Sequence, residues 1–178
     1  TSRKIFRKGK RNKYRGTSIG DIYKKNASSV VYIGNEKGNS MGSGSIIDGK
    51  KGWILTNWHV VDGWESMDIV LYHPGYTNAQ KIPEKDVFSG EVIAVDVLRD
   101  LALIRTKKTL RSKVSFAKNW SIGVAHAVFA IGHPDGGSFW TYTEGTISQL
   151  LDKEQWGYQD FSKHNANIIQ TQTPINPG

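Results

Sequence analysis

Short apolar runs separated by turns rich in Gly, Pro and Asn dominate the chain from residue 29 onward. Runs of that length, bounded by turn residues, predict strands rather than helices. The expected strands cover residues 29–33, 42–47, 53–55, 67–72, 87–96 and 101–104. Gly90, inside the fifth, reads as a bulge. Six short strands by residue 108 are the content of one small closed barrel. After Trp120 the pattern restarts, with strands expected at 127–131, 141–151 and 168–171 before Pro174 and Pro177 break it. So few strands cannot close a second barrel, so this second set reads as incomplete. One helix is expected over 18–26, where Ile19, Ile22 and Tyr23 recur at i, i+3 and i+4. The division that follows is a basic arm over 1–18, a barrel over 19–115 and a partial barrel over 116–178.

Composition adds two constraints. Cysteine is absent, which excludes disulfides and thiolate metal sites. The net charge of +8 is localised. Residues 1–16 carry eight of the 24 basic residues and no acid, leaving 16 bases against 16 acids in the remainder. The folded part is therefore formally neutral, which argues against a dedicated nucleic-acid-binding face. The arm reads as a solvated linker, with contact to an anionic surface as the sharper alternative. No apolar run reaches the length of a membrane span, and no stretch of the given sequence reads as a signal peptide.

The stretch Trp53-Ile54-Leu55-Thr56-Asn57-Trp58-His59-Val60-Val61 changes the picture. A strand end is where a rigid scaffold can hold a reactive side chain and still expose it. His59 therefore reads as a general base, against the plainer reading of a packed core histidine. A histidine base needs a carboxylate to fix its tautomer and stabilise the imidazolium. Asp100, directly before an apolar strand and 41 residues after His59, is the preferred candidate. Asp96 is the alternative, and Asp62 reads as a turn residue. The other histidines carry less: His73 and His133 precede prolines, and His126 and His164 have no evident fixed partner. Zinc-type spacing is absent, so neither metal nor cofactor is expected. Gly38-Asn39-Ser40-Met41-Gly42 superficially resembles a nucleophile loop but reads as a polar hairpin turn.

Several separated stretches together resemble trypsin-like serine proteases of the HtrA (Deg) type. They are Gly42-Ser43-Gly44-Ser45-Ile46-Ile47, Ile54 to Val61, Asp100-Leu101-Ala102-Leu103-Ile104, Gly132-His133-Pro134, Glu144-Gly145-Thr146, and Ile169 through Asn176-Pro177-Gly178. The resemblance implies an all-β, two-barrel chymotrypsin/trypsin-like fold with the active site between the barrels. It implies His59 as base and Asp100 as orienting acid. The family's nucleophile follows in Asn-Pro-Gly-Asn-Ser-Gly-Gly, and this sequence stops at Gly178, two residues short. The amide of Gly178 would be one oxyanion-hole donor.

The resemblance thus implies a serine endopeptidase acting on unfolded polypeptides in protein quality control, in the cell envelope or another extracytoplasmic site. A trimer is the family's expectation, and the chain without its serine would be inactive. The alternative is a catalytically silent binding module on the same fold. Gln172-Thr173-Pro174 and Trp58 depart from the usual pattern. Trp58 is expected to pack against Trp53 or Trp64. The 132–140 loop reads either as an activation-type loop or as an ordinary hairpin.

Overall fold

The structure, a computed structural model, describes residues 18–35, 40–116, 122–134, 138–157 and 163–174. Helix α1 (Ile19–Ala27) begins where Ser18 caps it, its hydroxyl accepting from the Asp21 amide. Six strands then follow: β1 (Val30–Gly34), β2 (Met41–Asp48), β3 (Trp53–Thr56), β4 (Ser66–Leu71), β5 (Val87–Asp96) and β6 (Leu101–Thr106). They close a barrel in the order β1-β2-β3-β6-β5-β4, every neighbouring pair antiparallel. The short helix α2 (Trp58–Val61) interrupts the path from β3 to β4.

The period-two pattern decides which side chains fill the barrel. Ile54 and Thr56 of β3 point inward, as do Ala102, Ile104 and Thr106 of β6. Val31, Ile33, Ile46, Met67 and Ile69 complete the interior, all 1% exposed or less. Burying one such side chain stabilises the fold by about 1.5–3 kcal/mol relative to leaving it in water. Glycine sits where these side chains leave no room. A Cβ on Gly44 would lie 2.6 Å from Ile54 Cγ2 and 2.7 Å from Ile33 Cδ1.

Gly90 is a similar case, and here the bulge expectation fails. The β5 irregularity falls between Val92 and Ala94, whereas Gly90 stays in register opposite Met67 and Thr106. A Cβ at Gly90 would lie 2.5 Å from Ile104 Cγ2, so glycine is required there for packing.

A second core covers the outer face of β1 and β4. Val30, Val70 and Ala27 meet Phe139 and Trp140 from the loop before β8. The Trp140 indole N–H donates to Val30 O at 2.9 Å, and the Tyr23 hydroxyl donates to Trp140 O at 3.0 Å. This end of the 132–140 loop is therefore anchored, with Trp140 3% exposed.

The second set of strands forms a three-stranded antiparallel sheet of β7 (Ala127–Gly132), β8 (Thr141–Trp156) and β9 (His164–Thr171). The fold is all-β with one closed barrel and a second that is incomplete among the described residues. β8 and β9 extend beyond the expected 141–151 and 168–171. Backbone pairing continues through the polar Glu154↔Ala166, Gln155↔Asn165 and Trp156↔His164 steps, past a bulge between Leu151 and Glu154. Polar strand ends of this kind carry no apolar alternation to reveal them.

Candidate active site

The register of β3 on β6 builds the site. Thr56 pairs with Ala102, so the residues just beyond the two strand ends emerge side by side. After β3, Asn57 holds extended backbone (φ −79°, ψ 148°) and the chain turns into α2. Val60 and Val61 anchor that turn in the barrel core, at 4% and 2% exposure. His59 is thereby turned outward. Before β6, residues Val97–Arg99 form a 3-10 turn capped by the Asp96 carboxylate, which accepts from Arg99 N at 3.0 Å. Asp100 ends the turn in the left-handed region (φ 53°, ψ 49°), a conformation Asp tolerates better than most residues.

His59 Nδ1 and Asp100 Oδ2 lie 2.8 Å apart. The second carboxylate oxygen, Oδ1, accepts from the His59 backbone N–H at 2.9 Å. Asn57 Nδ2 donates to both Asp100 O and Asp100 Oδ2, each at 3.1 Å. Asp100 is 2% exposed, whereas the His59 side chain is 36% exposed. A buried ionised carboxylate accepts only, so Nδ1 of the neutral imidazole carries the proton. Nε2 then holds the lone pair that a general base needs.

The other carboxylates have different duties. Asp96 pairs with Arg99 at 2.7 Å on the surface, and that guanidinium holds its pKa below the usual carboxylate value. Asp62 is the residue at the end of α2. The structure therefore joins His59 to Asp100, not to Asp96 or Asp62. Gly178 lies outside the described residues, as do Asn176, Pro177 and the basic arm over 1–16.

Two histidines differ from the sequence reading. His164, expected to lack a fixed partner, is 1% exposed and places Nδ1 2.6 Å from Val97 O. Its ring lies against Trp156 (centroids 5.2 Å apart) and Trp58 (6.0 Å). Trp58 thus meets β9, while Trp53 carries Lys51 Nζ 4.2 Å from its ring centroid. His133 is buried among Tyr32, Phe139 and Trp140. Its backbone N–H donates to Ser43 Oγ at 2.9 Å, and its ring Nδ1 lies 3.1 Å from the same hydroxyl. Burial pushes its pKa down to about 3, so the ring is neutral near pH 7. Neither role has a local sequence signal, because the partners are 67 and 90 residues away.

Two depressions flank the pair. One of about 250 Å³ is lined by Ser43, Asn57, Val60, His133, Thr141 and Thr143. The other, about 880 Å³, runs between the Arg99-Asp100 turn and the β8–β9 hairpin, past Leu150, Trp156 and Ile169. Among the described residues, no group of three or more His, Cys, Asp or Glu side chains is placed to hold a metal ion. No helix there is long and apolar enough to cross a membrane.

A closed β-barrel holding a buried Asp against an outward-facing His at its rim defines the chymotrypsin class of architecture. Residues 42–178 match the trypsin-like peptidase domain family, and the chain belongs to it. Within that family it is a protease domain of the HtrA type. It is 29% identical over 144 residues to Serine protease Do-like HtrA of Lactococcus lactis, covering 79% of this chain and 33% of that protein. To Periplasmic serine endoprotease DegP of Salmonella typhimurium it is 31% identical over 145 residues, covering 80% and 27%. The solved structure of Deg5 superposes with a TM-score of 0.63 at 25% identity, covering 89% of this chain and 74% of that one. The chain thus spans about a third or less of the length of these curated relatives.

Proposed function

We propose that the complete protein is a serine endopeptidase in which His59 is the general base and Asp100 its orienting acid. The carrying observation is the two-point grip of Asp100 on His59, ring and backbone together, with Asp100 buried and the His59 side chain 36% exposed. The family pattern puts the nucleophilic serine two residues beyond Gly178. His59 Nε2 would take that hydroxyl proton as the oxygen attacks the scissile carbonyl. The resulting imidazolium is held by the Asp100 carboxylate and then protonates the leaving amine. The Gly178 amide would face the developing oxyanion, where one such donor contributes on the order of 3 kcal/mol.

The names of the relatives support polypeptide substrates, and several of them are named as periplasmic. The periplasmic names support an extracytoplasmic site; unfolded polypeptides as substrates, a quality-control role and a trimer are proposed from the family resemblance alone. The test is labelling of the complete protein with a fluorophosphonate probe, alongside casein cleavage. Wild type should label and cleave, and His59→Ala should do neither. A His59→Ala protein cleaving casein at the wild-type rate would sink the assignment.

A further inference from the structure

The turn that presents Asp100 is weakly held by packing. No residue of Val97–Arg99 is buried, and Val97 and Leu98 are 41% and 52% exposed. Its cap, the Asp96–Arg99 pair, stands in solvent, where such pairs contribute little. Yet Asp100 must keep a left-handed backbone and a fixed carboxylate direction. Something buried has to hold this turn, and His164 is placed to do so.

His164 is the first residue of β9, paired with Trp156 at the end of β8. Its Nδ1 meets Val97 O at 2.6 Å. A carbonyl can only accept, so Nδ1 carries the proton and donates. The same oxygen accepts the Asp100 backbone N–H at 3.2 Å. One carbonyl thus receives both the second sheet and the candidate acid. The His164 ring also lies near Trp58, the residue immediately before His59, with centroids 6.0 Å apart. His164 therefore touches both segments of the pair, one beside the base and one at the turn ending in the acid.

We propose that His164 is a positioning residue that locks the His59–Asp100 pair to the β8–β9 hairpin through Val97 O. It touches no reacting atom; it fixes the direction from which Asp100 meets His59. This deepens the protease reading and rests on it for the effect on turnover, but not for the effect on His59 itself.

Two substitutions in the complete protein separate hydrogen bonding from packing. His164→Phe keeps a ring in contact with Trp58 and Trp156 and removes the donor. His164→Asn removes the ring and keeps an N–H close to the Nδ1 position. The first readout is the low-field imidazole proton of His59 Nδ1–H in the proton NMR spectrum, which needs no serine. The second is kcat against KM. His164→Phe should broaden or lose the proton signal and lower kcat about ten- to a hundredfold, the scale of a misplaced catalytic group, with KM within about twofold. His164→Asn should restore both. The reverse pattern, with His164→Phe wild-type and His164→Asn impaired, overturns the proposal in favour of packing. So does a His164→Phe protein with an unchanged signal and unchanged kcat. A wild type that shows the signal, loses it in His164→Phe and cleaves no peptide would support the positioning role while removing the protease assignment.

Discussion

Both carboxylate oxygens of Asp100 meet His59, Oδ2 at the ring Nδ1 and Oδ1 at the backbone N–H. This fixes the imidazole in two ways at once, by tautomer and by tilt. An Asp100→Asn substitution keeps the shape but replaces one acceptor with a donor. The amide then either faces an N–H with its own NH2 or forces the other tautomer. In the complete protein, kcat should fall about 10⁴-fold, the scale expected when the imidazole is held in the wrong tautomer. Stability should fall by about 1–3 kcal/mol, because a buried donor loses its acceptor. Steady-state kinetics and urea unfolding of the same preparation check both numbers.

Asn57 acts on the other side of Asp100, donating to its carbonyl and to Oδ2. Asn57→Ala removes two hydrogen bonds without touching the His59 contacts. The expected loss is smaller than for Asp100→Asn, about tenfold in kcat/KM, equivalent to about 1.4 kcal/mol. Equal losses in the two variants would mean that Asn57, rather than the carboxylate grip, sets the geometry.

The barrel was legible because its strands are short apolar runs bounded by turn residues. Which side chains face inward, Ile54 and Thr56 or Ala102 and Ile104, came from the structure, where burial alternates with a period of two. Asp100 was legible as the neighbour of such a strand. It was already preferred to Asp96 in the sequence; the structure adds the reason, a 3-10 turn that gives Asp96 to Arg99. The contacts of His164 with Val97 and of His133 with Ser43 were not legible. Each joins the second sheet or its loop to the first barrel across a long stretch of chain, and neither involves a repeating pattern. Gly90 misled for a related reason. A glycine demanded by a neighbour's bulk looks, in one dimension, like a glycine demanded by a bulge.

His133 gives the fold an acid-sensitive point. Its pKa falls from 6.5 to about 3 on folding, through burial. Below pH 6.5 the unfolded chain binds the proton and the folded one resists it. Stability from this group is therefore complete above pH 6.5 and is lost as pH falls toward 3. Between pH 7 and pH 5 the loss is about 2 kcal/mol. Denaturant unfolding at the two pH values should show this loss in wild type and not in His133→Asn. Identical losses in both proteins would place the acid sensitivity elsewhere.

The same substitution at two glycines should have opposite signs. Gly20 is exposed within α1, and the nearest atom to an added Cβ is Ser18 Oγ at 3.8 Å. Gly20→Ala there reduces the backbone freedom of the unfolded chain and adds no clash, so it should stabilise by about 0.5–1 kcal/mol. Gly44→Ala would drive a methyl group against Ile54, Ile33 and Val31 inside the closed barrel. Those side chains come from β3 and β1, the strands flanking β2, and none can withdraw without shifting a paired strand. Overpacking of that kind costs about 1–3 kcal/mol. Urea midpoints should therefore move apart, upward for Gly20→Ala and downward for Gly44→Ala. A neutral Gly44→Ala would mean that the barrel interior has room its closed hydrogen-bond ladder does not allow.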